Sequence, residues 1–429
     1  MKSATSRLIS LGAVALIAAC ASAPSPSVQV PTPGSPDPRV GLKPGRMDST
    51  RRNMLEPAAE AIWNLRMLSN SPSSENFRGV TNSDLAFRGQ YVIQGNYNGY
   101  QVWDISNPRK PSLKTSHLCP ASQSDVSVFG NLLFVSAEAP SARLDCGTTG
   151  VRDSVSHDRI RGIRIFDATD IANPKYIANV QTCRGSHTHT VVNDPKDKEN
   201  VYVYISGSSG VRSPSELPGC LSSQDDPNTA LFRIEVIKIP LANPQAAAIV
   251  SSPRIFQGLT APPRRTEPVD SAQLARRAAQ AAANPNAPPR PTSRTGGPTQ
   301  CHDITVYPEI GLAGGACGGY GLLLDISDVA NPKRIDAAAD SNFSFWHSAT
   351  FSNDGSKILF TDEWGGGSAP RCRASDKPEW GANAIFTISN DKKMSFKSYY
   401  KISAAQTNTE NCVAHNGSLI PIPGREVMV

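Results

Sequence analysis

The sequence predicts an all-β fold: a β-propeller of six or seven four-stranded blades. Two recurring patterns lead to it. The first is an apolar strand ending in Asp, followed by a turn that closes on Asn-Pro. It reads GYQVWDISNPRKP at 99–111, GIRIFDATDIANPKY at 162–176 and GLLLDISDVANPKR at 321–334, with weaker copies RIEVIKIPLANPQ at 233–245 and AIFTISNDKK at 384–393. Strand alternation followed by Asp, Ser, Asn and Pro specifies a strand and a tight reversal. Units repeated at irregular intervals suit blades lengthened by loops.

The second pattern lies upstream of each such unit, where the inner strand of a blade belongs. The segments are SDLAF (83–87), SDVSV (124–128), HTHTV (187–191), HDITV (302–306), HSATF (347–351) and HNGSL (415–419). Each has a first residue, two spacers, a small residue and then an apolar one. The sixth segment opens near the end of the given sequence, with no Asp-turn unit after it, so a last blade short of strands is expected.

The strand–Asp–turn units, VWDISNPRKP above all, resemble those of the LVIVD-repeat β-propellers. The resemblance runs in scattered repeats over roughly residues 80–429. It implies the fold and says little of activity, since a propeller hosts many functions.

The organisation around the repeats is legible in composition. MKSATSRLISLGAVALIAAC carries Lys2 and Arg7, then an apolar run, then small residues before Cys20. The run is too short for a permanent span and suits a secretory signal over residues 1–19. IAAC resembles the bacterial lipobox, which implies cleavage before Cys20, its lipidation and a membrane anchor. Ala21, where an Asp would retain such a lipoprotein at the inner membrane, implies the outer membrane. Residues 20–80 are read as lipidated cysteine and Pro/Ser-rich tether, and 81–429 as the propeller. Residues 260–300, rich in Pro, Ala and Arg, are read as a disordered surface insertion with a short helix near 270–283 and solvated arginines.

The formal charge of +6 on 429 residues is weak. With no basic stripe interleaved with aromatics, nucleic acid is not an expected partner. GxSxG, HExxH and Walker patterns are missing from the sequence. GLAGGACGGYG (311–321) is glycine-rich but leads into a strand, not the helix a phosphate cradle needs.

The histidines are the main chemical signal. In the first position of the six segments stand Ser83, Ser124, His187, His302, His347 and His415. His189 lies two residues on, on the same strand face, and of seven histidines only His117 and His157 fall outside this register. Equivalent positions of successive inner strands face one another around a propeller's channel. Four neighbouring blades are therefore expected to present imidazoles at one level. Imidazole is the commonest protein ligand for zinc, copper and iron. The set His187, His189, His302, His347 and His415 is thus a candidate transition-metal site, with Cu, Fe, Zn and Mn not distinguished. The competing reading is a ring of histidines bonded to water.

Glu138 and Glu363 each follow a second strand, whose end returns beside the start of the first. Either could orient a ligand histidine or move a proton, or be a solvated loop acid. Trp346 and Trp364 could wall the same face or simply pack.

Eight cysteines remain after Cys20, an even number that in an oxidising compartment favours disulfides. Cys119, Cys183, Cys301 and Cys412 precede inner strands. Cys146, Cys220, Cys317 and Cys372 follow second strands. Both segment types emerge on one face, so the pairing Cys119–Cys146, Cys183–Cys220, Cys301–Cys317 and Cys372–Cys412 would staple the channel mouth. It is one of 105 connectivities, and ligation of a metal by cysteine is its competitor. Two functions follow from these readings. One is a metal-dependent oxidoreductase or hydrolase of the cell envelope. The other is a non-catalytic scaffold presenting its loops to an envelope protein or glycan.

Overall fold

The computed structural model describes residues 66–265, 296–365, 376–401 and 413–428 except 423, with short isolated stretches at 46–47, 54–56, 274–275, 278–279 and 282. The expectations for Cys20, Cys372, Cys412 and most of the insertion lie outside the described residues.

Strands β1 (Arg46–Met47) and β2 (Met54–Glu56) pair with each other. Five four-stranded antiparallel sheets then follow in chain order. The first blade is β3 (Asn82–Arg88), β4 (Tyr91–Asn96), β5 (Gly99–Asp104) and β6 (Ser112–Leu118). The second is β7 (Val126–Phe129), β8 (Leu132–Ala137), β9 (Gly162–Asp167) and β10 (Lys175–Gln181). The third is β11 (Thr190–Val192), β12 (Asn200–Ile205), β13 (Glu235–Pro240) and β14 (Ala248–Ser251). The fourth is β15 (Cys301–Tyr307), β16 (Leu312–Cys317), β17 (Tyr320–Asp325) and β18 (Lys333–Ala338). The fifth is β19 (Trp346–Phe351), β20 (Lys357–Asp362), β21 (Asn383–Ile388) and β22 (Met394–Tyr400). A two-stranded sheet, β23 (Leu419–Ile422) and β24 (Arg425–Met428), comes last. The molecule is an all-β propeller. Five blades are complete, and the sixth sheet has two strands among the described residues.

Each strand–Asp–turn unit is the third strand of a blade and its turn into the fourth. The repeat aspartate works as a turn acceptor. Oδ1 of Asp104, Asp167 and Asp325 accepts the amide two residues on, from Ser106, Thr169 and Ser327, each at 2.9 Å. This is an Asx turn, which reverses the chain with a side chain in place of a backbone group. The glycine that opens these strands is equally required. A Cβ on Gly99 or Gly162, both at positive φ, would lie 2.1 or 2.0 Å from a carbonyl oxygen of the fourth strand.

The core lies between successive blades as apolar layers. Tyr100, Val102, Leu133 and Phe166 fill the layer between blades one and two; Phe134, Ile165, Val203 and Ile237 that between two and three. Alternate residues of one strand serve opposite layers, as the pleat requires. Leu322 and Leu324 pack toward blade three, whereas Leu323 packs toward blade five. Second and third strands are thus buried on both faces, which is why they read as unbroken apolar runs.

Inner strands are stitched blade to blade by hydroxyls. The small residue of the repeat reaches the carbonyl one residue earlier in the next repeat. Thr305 Oγ1 donates to Ala349 O at 2.7 Å, Thr350 Oγ1 to Gly417 O at 2.8 Å, and Thr190 Oγ1 to Ile304 O. This ladder holds the third to sixth inner strands at one height.

Two expectations are corrected here. The segment before residue 81 is not all tether. Phe77 is buried, the Ser74 amide donates to Gln101 Oε1 at 2.9 Å, and Asn98 donates to Asn76 O at 2.7 Å, so the packed body begins before the first inner strand. The arginines of the insertion are not all solvated. Arg265 is enclosed between Trp364 and Trp380, its guanidinium carbon 4.5 and 4.3 Å from their ring centres.

Candidate metal centre

The equal height of the inner strands places the first-position residues in a row at one end of a channel of about 1180 Å3, lined by all six inner segments. Successive imidazole ring centres lie 4.7 Å apart for His187 and His302, 3.7 Å for His302 and His347, and 4.4 Å for His347 and His415. In the first two blades the first position is serine: Ser83 lines the cavity, whereas Ser124 is buried outside its lining. The Ser83 hydroxyl donates to Gln123 O, and Ser124 Oγ to Ser122 O at 3.3 Å.

His347 sits at the centre. Its side chain is 3% exposed, and its Nδ1 is buried without a hydrogen-bond partner. Burial, then the charge of His302, push its pKa down to about 3, so the ring is neutral and keeps a lone pair. Donor atoms of His347, Glu363 and His415 lie within 4.8 Å of one another, and so do those of His302, Asp303 and His347. Glu363 stands 3.6 Å from His347 Nε2 and 3.8 Å from His415 Nε2. Both distances are long for hydrogen bonds. They approach the ligand-to-ligand edge, about 3.4 Å, of a tetrahedral ion with bonds near 2.1 Å. This donor geometry can hold a metal ion.

The two glutamates flank the row. Glu138 follows β8 and Glu363 follows β20. Nδ1 of His187 meets Glu138 Oε1 at 2.6 Å, and Glu138 also accepts from Ser122 Oγ at 3.0 Å and from Ser208 Oγ. Burial alone would raise the Glu138 carboxyl, but the His187 contact and the two hydroxyls hold it below its ordinary value. Burial alone would lower His187, but Glu138, with Asp303 and Asp125, outweighs it and keeps its pKa above the ordinary value. A carboxylate on Nδ1 orients the ring and leaves Nε2 for the channel.

His189 does not join the row. It points between the second and third blades, where Nδ1 meets Ser136 Oγ at 2.9 Å and Asp125 Oδ2 at 3.1 Å, against the Phe134 ring. Its side chain is wholly buried, and burial lowers its pKa to about 4. Ser136, His189 and Asp125 do not form a nucleophile triad, because serine and aspartate share one ring nitrogen and Ser136 is fully buried.

Three channel acids escaped the histidine register, although the sequence marks them: Asp84, Asp125 and Asp303 all occupy the second position of the repeat. Asp84 and Asp125 hydrogen-bond each other. Burial, then Asp125, pushes Asp84 up to about 8; burial likewise raises Asp125 to about 6. Burial would raise Asp303 too, but contact with His302 keeps it below its ordinary value.

Around this end stand two exposed aromatics, Phe345 and Tyr97, which line the same cavity. Phe345 lies edge-on to His302 and His347, at 5.6 and 5.9 Å. Trp346 packs in the core against Phe343 and Phe360 rather than walling the channel. Disulfides Cys119–Cys146, Cys183–Cys220 and Cys301–Cys317 are formed as topology suggested. The pair beside His117 is therefore oxidised and offers no thiolate. His117 itself stacks on Tyr100 at 5.1 Å.

No family model matches the chain, and no curated protein matches it. Among solved structures, it is similar to a functionally unknown protein from Desulfotomaculum acetoxidans, at 9% identity and TM-score 0.46, over 81% of each chain. It is similar to the periplasmic gluconolactonase of Pseudomonas aeruginosa, at 9% identity and TM-score 0.37, over 86% of this chain and 92% of that one. It is also similar to the Swd1 β-propeller domain of Myceliophteria thermophila, at 10% identity and TM-score 0.37, over 76% and 75%. Each likeness falls below a TM-score of 0.5, and none bears on chemistry.

Proposed function

We propose that this chain is an LVIVD-type propeller, held at the outer membrane by a lipid on Cys20, whose channel binds one transition-metal ion through His302, His347, His415 and Glu363. His187, oriented by Glu138, completes the wall, and the bound ion serves oxidoreductase or hydrolase chemistry. The observation that carries this is the surroundings of His347. A buried neutral imidazole lies between two others, with its Nε2 3.6 Å from the Glu363 carboxylate. Imidazoles and a carboxylate brought this close without hydrogen-bonding one another are the arrangement a shared ion would hold together. Imidazole and carboxylate without thiolate suit zinc, iron, manganese or copper(II). The envelope location is supported by the lipobox-like IAAC and by three disulfides, which persist in oxidising compartments.

The test is elemental analysis of the protein purified from a periplasmic or membrane fraction. One equivalent of a transition metal is expected in the wild type, lost in both His347→Ala and His302→Ala. A metal-free wild type that added Zn2+, Cu2+, Mn2+ or Fe2+ does not stabilise, with both variants as stable as it, would leave the non-catalytic scaffold as the better reading.

A further inference from the structure

The chain between β14 and β15 does not stay over the blades it joins. Thr260 O accepts the Tyr320 hydroxyl of the fourth blade at 3.2 Å, and Pro262 lies on Gly319, the turn glycine between β16 and β17. Arg265 then reaches the fifth blade. Its guanidinium is stacked between Trp364 and Trp380, lies 3.7 Å from Asp362 Oδ2 and donates to Asn342 O. The far end of the insertion returns to the third blade, where Arg184 donates to Thr299 O and to Gln300 Oε1.

The residues that Arg265 grips flank the candidate ligand Glu363 on both sides in sequence, Asp362 before it and Trp364 after. Asp362 is fully buried and accepts three amides: Ser344 at 2.9 Å and Phe345 at 2.8 Å on Oδ1, and Gly381 at 3.0 Å on Oδ2. The Glu363 amide in turn donates to Phe345 O at 3.0 Å. One buried carboxylate thus ties the turn that carries Phe345 to the strand end that carries Glu363. One cation acting on that carboxylate, Arg265, comes from the insertion; another is Lys401.

We propose that Arg265 is a positioning residue of the channel site: stacked on Trp364 and paired with Asp362, it fixes Glu363 and Phe345 against His347. Its functional meaning rests on the metal-centre reading, but the contacts do not. A charged guanidinium held over two indole rings is favoured by each of them. Without it the buried Asp362 charge loses its ion-pair partner, a costly change. Partners that orient a ligand typically change metal affinity 10–100-fold when removed.

The experiment uses the full chain with Arg265→Ala and Arg265→Lys, Zn2+ alone as the probe, and hydrogen exchange as the second readout. In Arg265→Ala the Zn2+ dissociation constant is expected to rise about 10–100-fold. The amides of Ser344, Phe345, Glu363 and Gly381 should exchange at least about tenfold faster, while those of β19 beyond Ala349 keep their rates. Arg265→Lys, which keeps a cation over the rings, should recover most of both. Unchanged exchange at those four amides overturns the proposal whether or not metal binds. Faster exchange with an unchanged Zn2+ constant overturns it as well. A wild type that binds no Zn2+ counts against the metal reading, and the exchange rates then decide the positioning by themselves. If Arg265→Ala gives no folded protein, Trp380→Leu, which takes one ring from the guanidinium, replaces it with the same expectations.

Discussion

Replacing Asp84 with Asn should change how stability depends on pH, in a direction the structure dictates. Asp84 lies on the first inner strand and hydrogen-bonds to Asp125. Burial, then Asp125, lift its pKa from 3.8 to about 8. Between those values the native state holds a proton that the unfolded chain has released. The resulting stabilisation is complete below the unfolded value and is lost as pH rises through the folded one. One proton of difference corresponds to about 1.4 kcal/mol per pH unit, hence on the order of 3 kcal/mol between pH 5 and 7. Asn keeps the size of the protonated acid and an N–H to offer Asp125, but it does not titrate. The stability of Asp84→Asn relative to wild type should therefore rise by about 1.4 kcal/mol per unit across this window. Urea midpoints at pH 5, 6 and 7, with chelator present so that metal plays no part, measure it. A difference that stays flat with pH, or that falls, refutes the shared-proton account of the dyad.

Other consequences are independent of this one. Glu138→Gln removes the carboxylate that does most to raise the His187 pKa, so the His187 titration should move down, against the remaining pull of Asp303 and Asp125; an unmoved NMR titration rejects the pairing. Thr350→Val keeps the shape of the side chain but deletes its bond to Gly417 O. It should cost about 1–2 kcal/mol in denaturant melts, with faster exchange concentrated in β23 and β24. Opening the disulfides should cost about 3–4 kcal/mol each on chain-entropy grounds, for separations of 27, 37 and 16 residues. A reduced protein that melts with the oxidised one would contradict that.

The propeller was legible because its signals are local. An Asp that accepts the amide two residues on leaves the same trace in the first, second and fourth blades, and a glycine pressed against the fourth strand leaves another in the first two. The histidine row was legible because identical first positions of parallel inner strands meet across the channel, so register alone brings them together. Register also misled. His189 lies two residues after His187, but both precede β11 and the chain bends at His187 and Thr188, so the strand alternation that would put them on one face does not apply, and His189 is buried on Ser136 and Asp125. The acids at the second position were visible in SDLAF, SDVSV and HDITV. Their departure from ordinary carboxylate behaviour was not, since it comes from burial and from contact across blades. Arg265 could not have been read at all. Its environment is made by Trp364 and Trp380, about a hundred residues away in sequence, while its neighbours in the chain are prolines and arginines.

The threonine ladder and the histidine row coincide for a physical reason. Thr190, Thr305 and Thr350 each occupy the fourth position of a histidine blade, and each bonds to the third-position carbonyl of the next. That bond fixes the stagger between adjacent inner segments, and the first positions, three residues earlier in β15 and β19 and just before the strand in β11 and β23, inherit it. A slip of one residue would move an inner strand by roughly 3.3 Å, comparable to the whole 3.7 Å between the His302 and His347 rings, and would turn its side chains to the opposite face. The ladder runs across the three junctions that join histidine blades to one another. In the first blade the same position is Ala86, which has no hydroxyl to give, and there the first position is serine. Alignment of the imidazoles is thus a property of the inner strands and their hydroxyls. The carboxylates, Arg265 and the aromatics act on a row whose spacing has already been set.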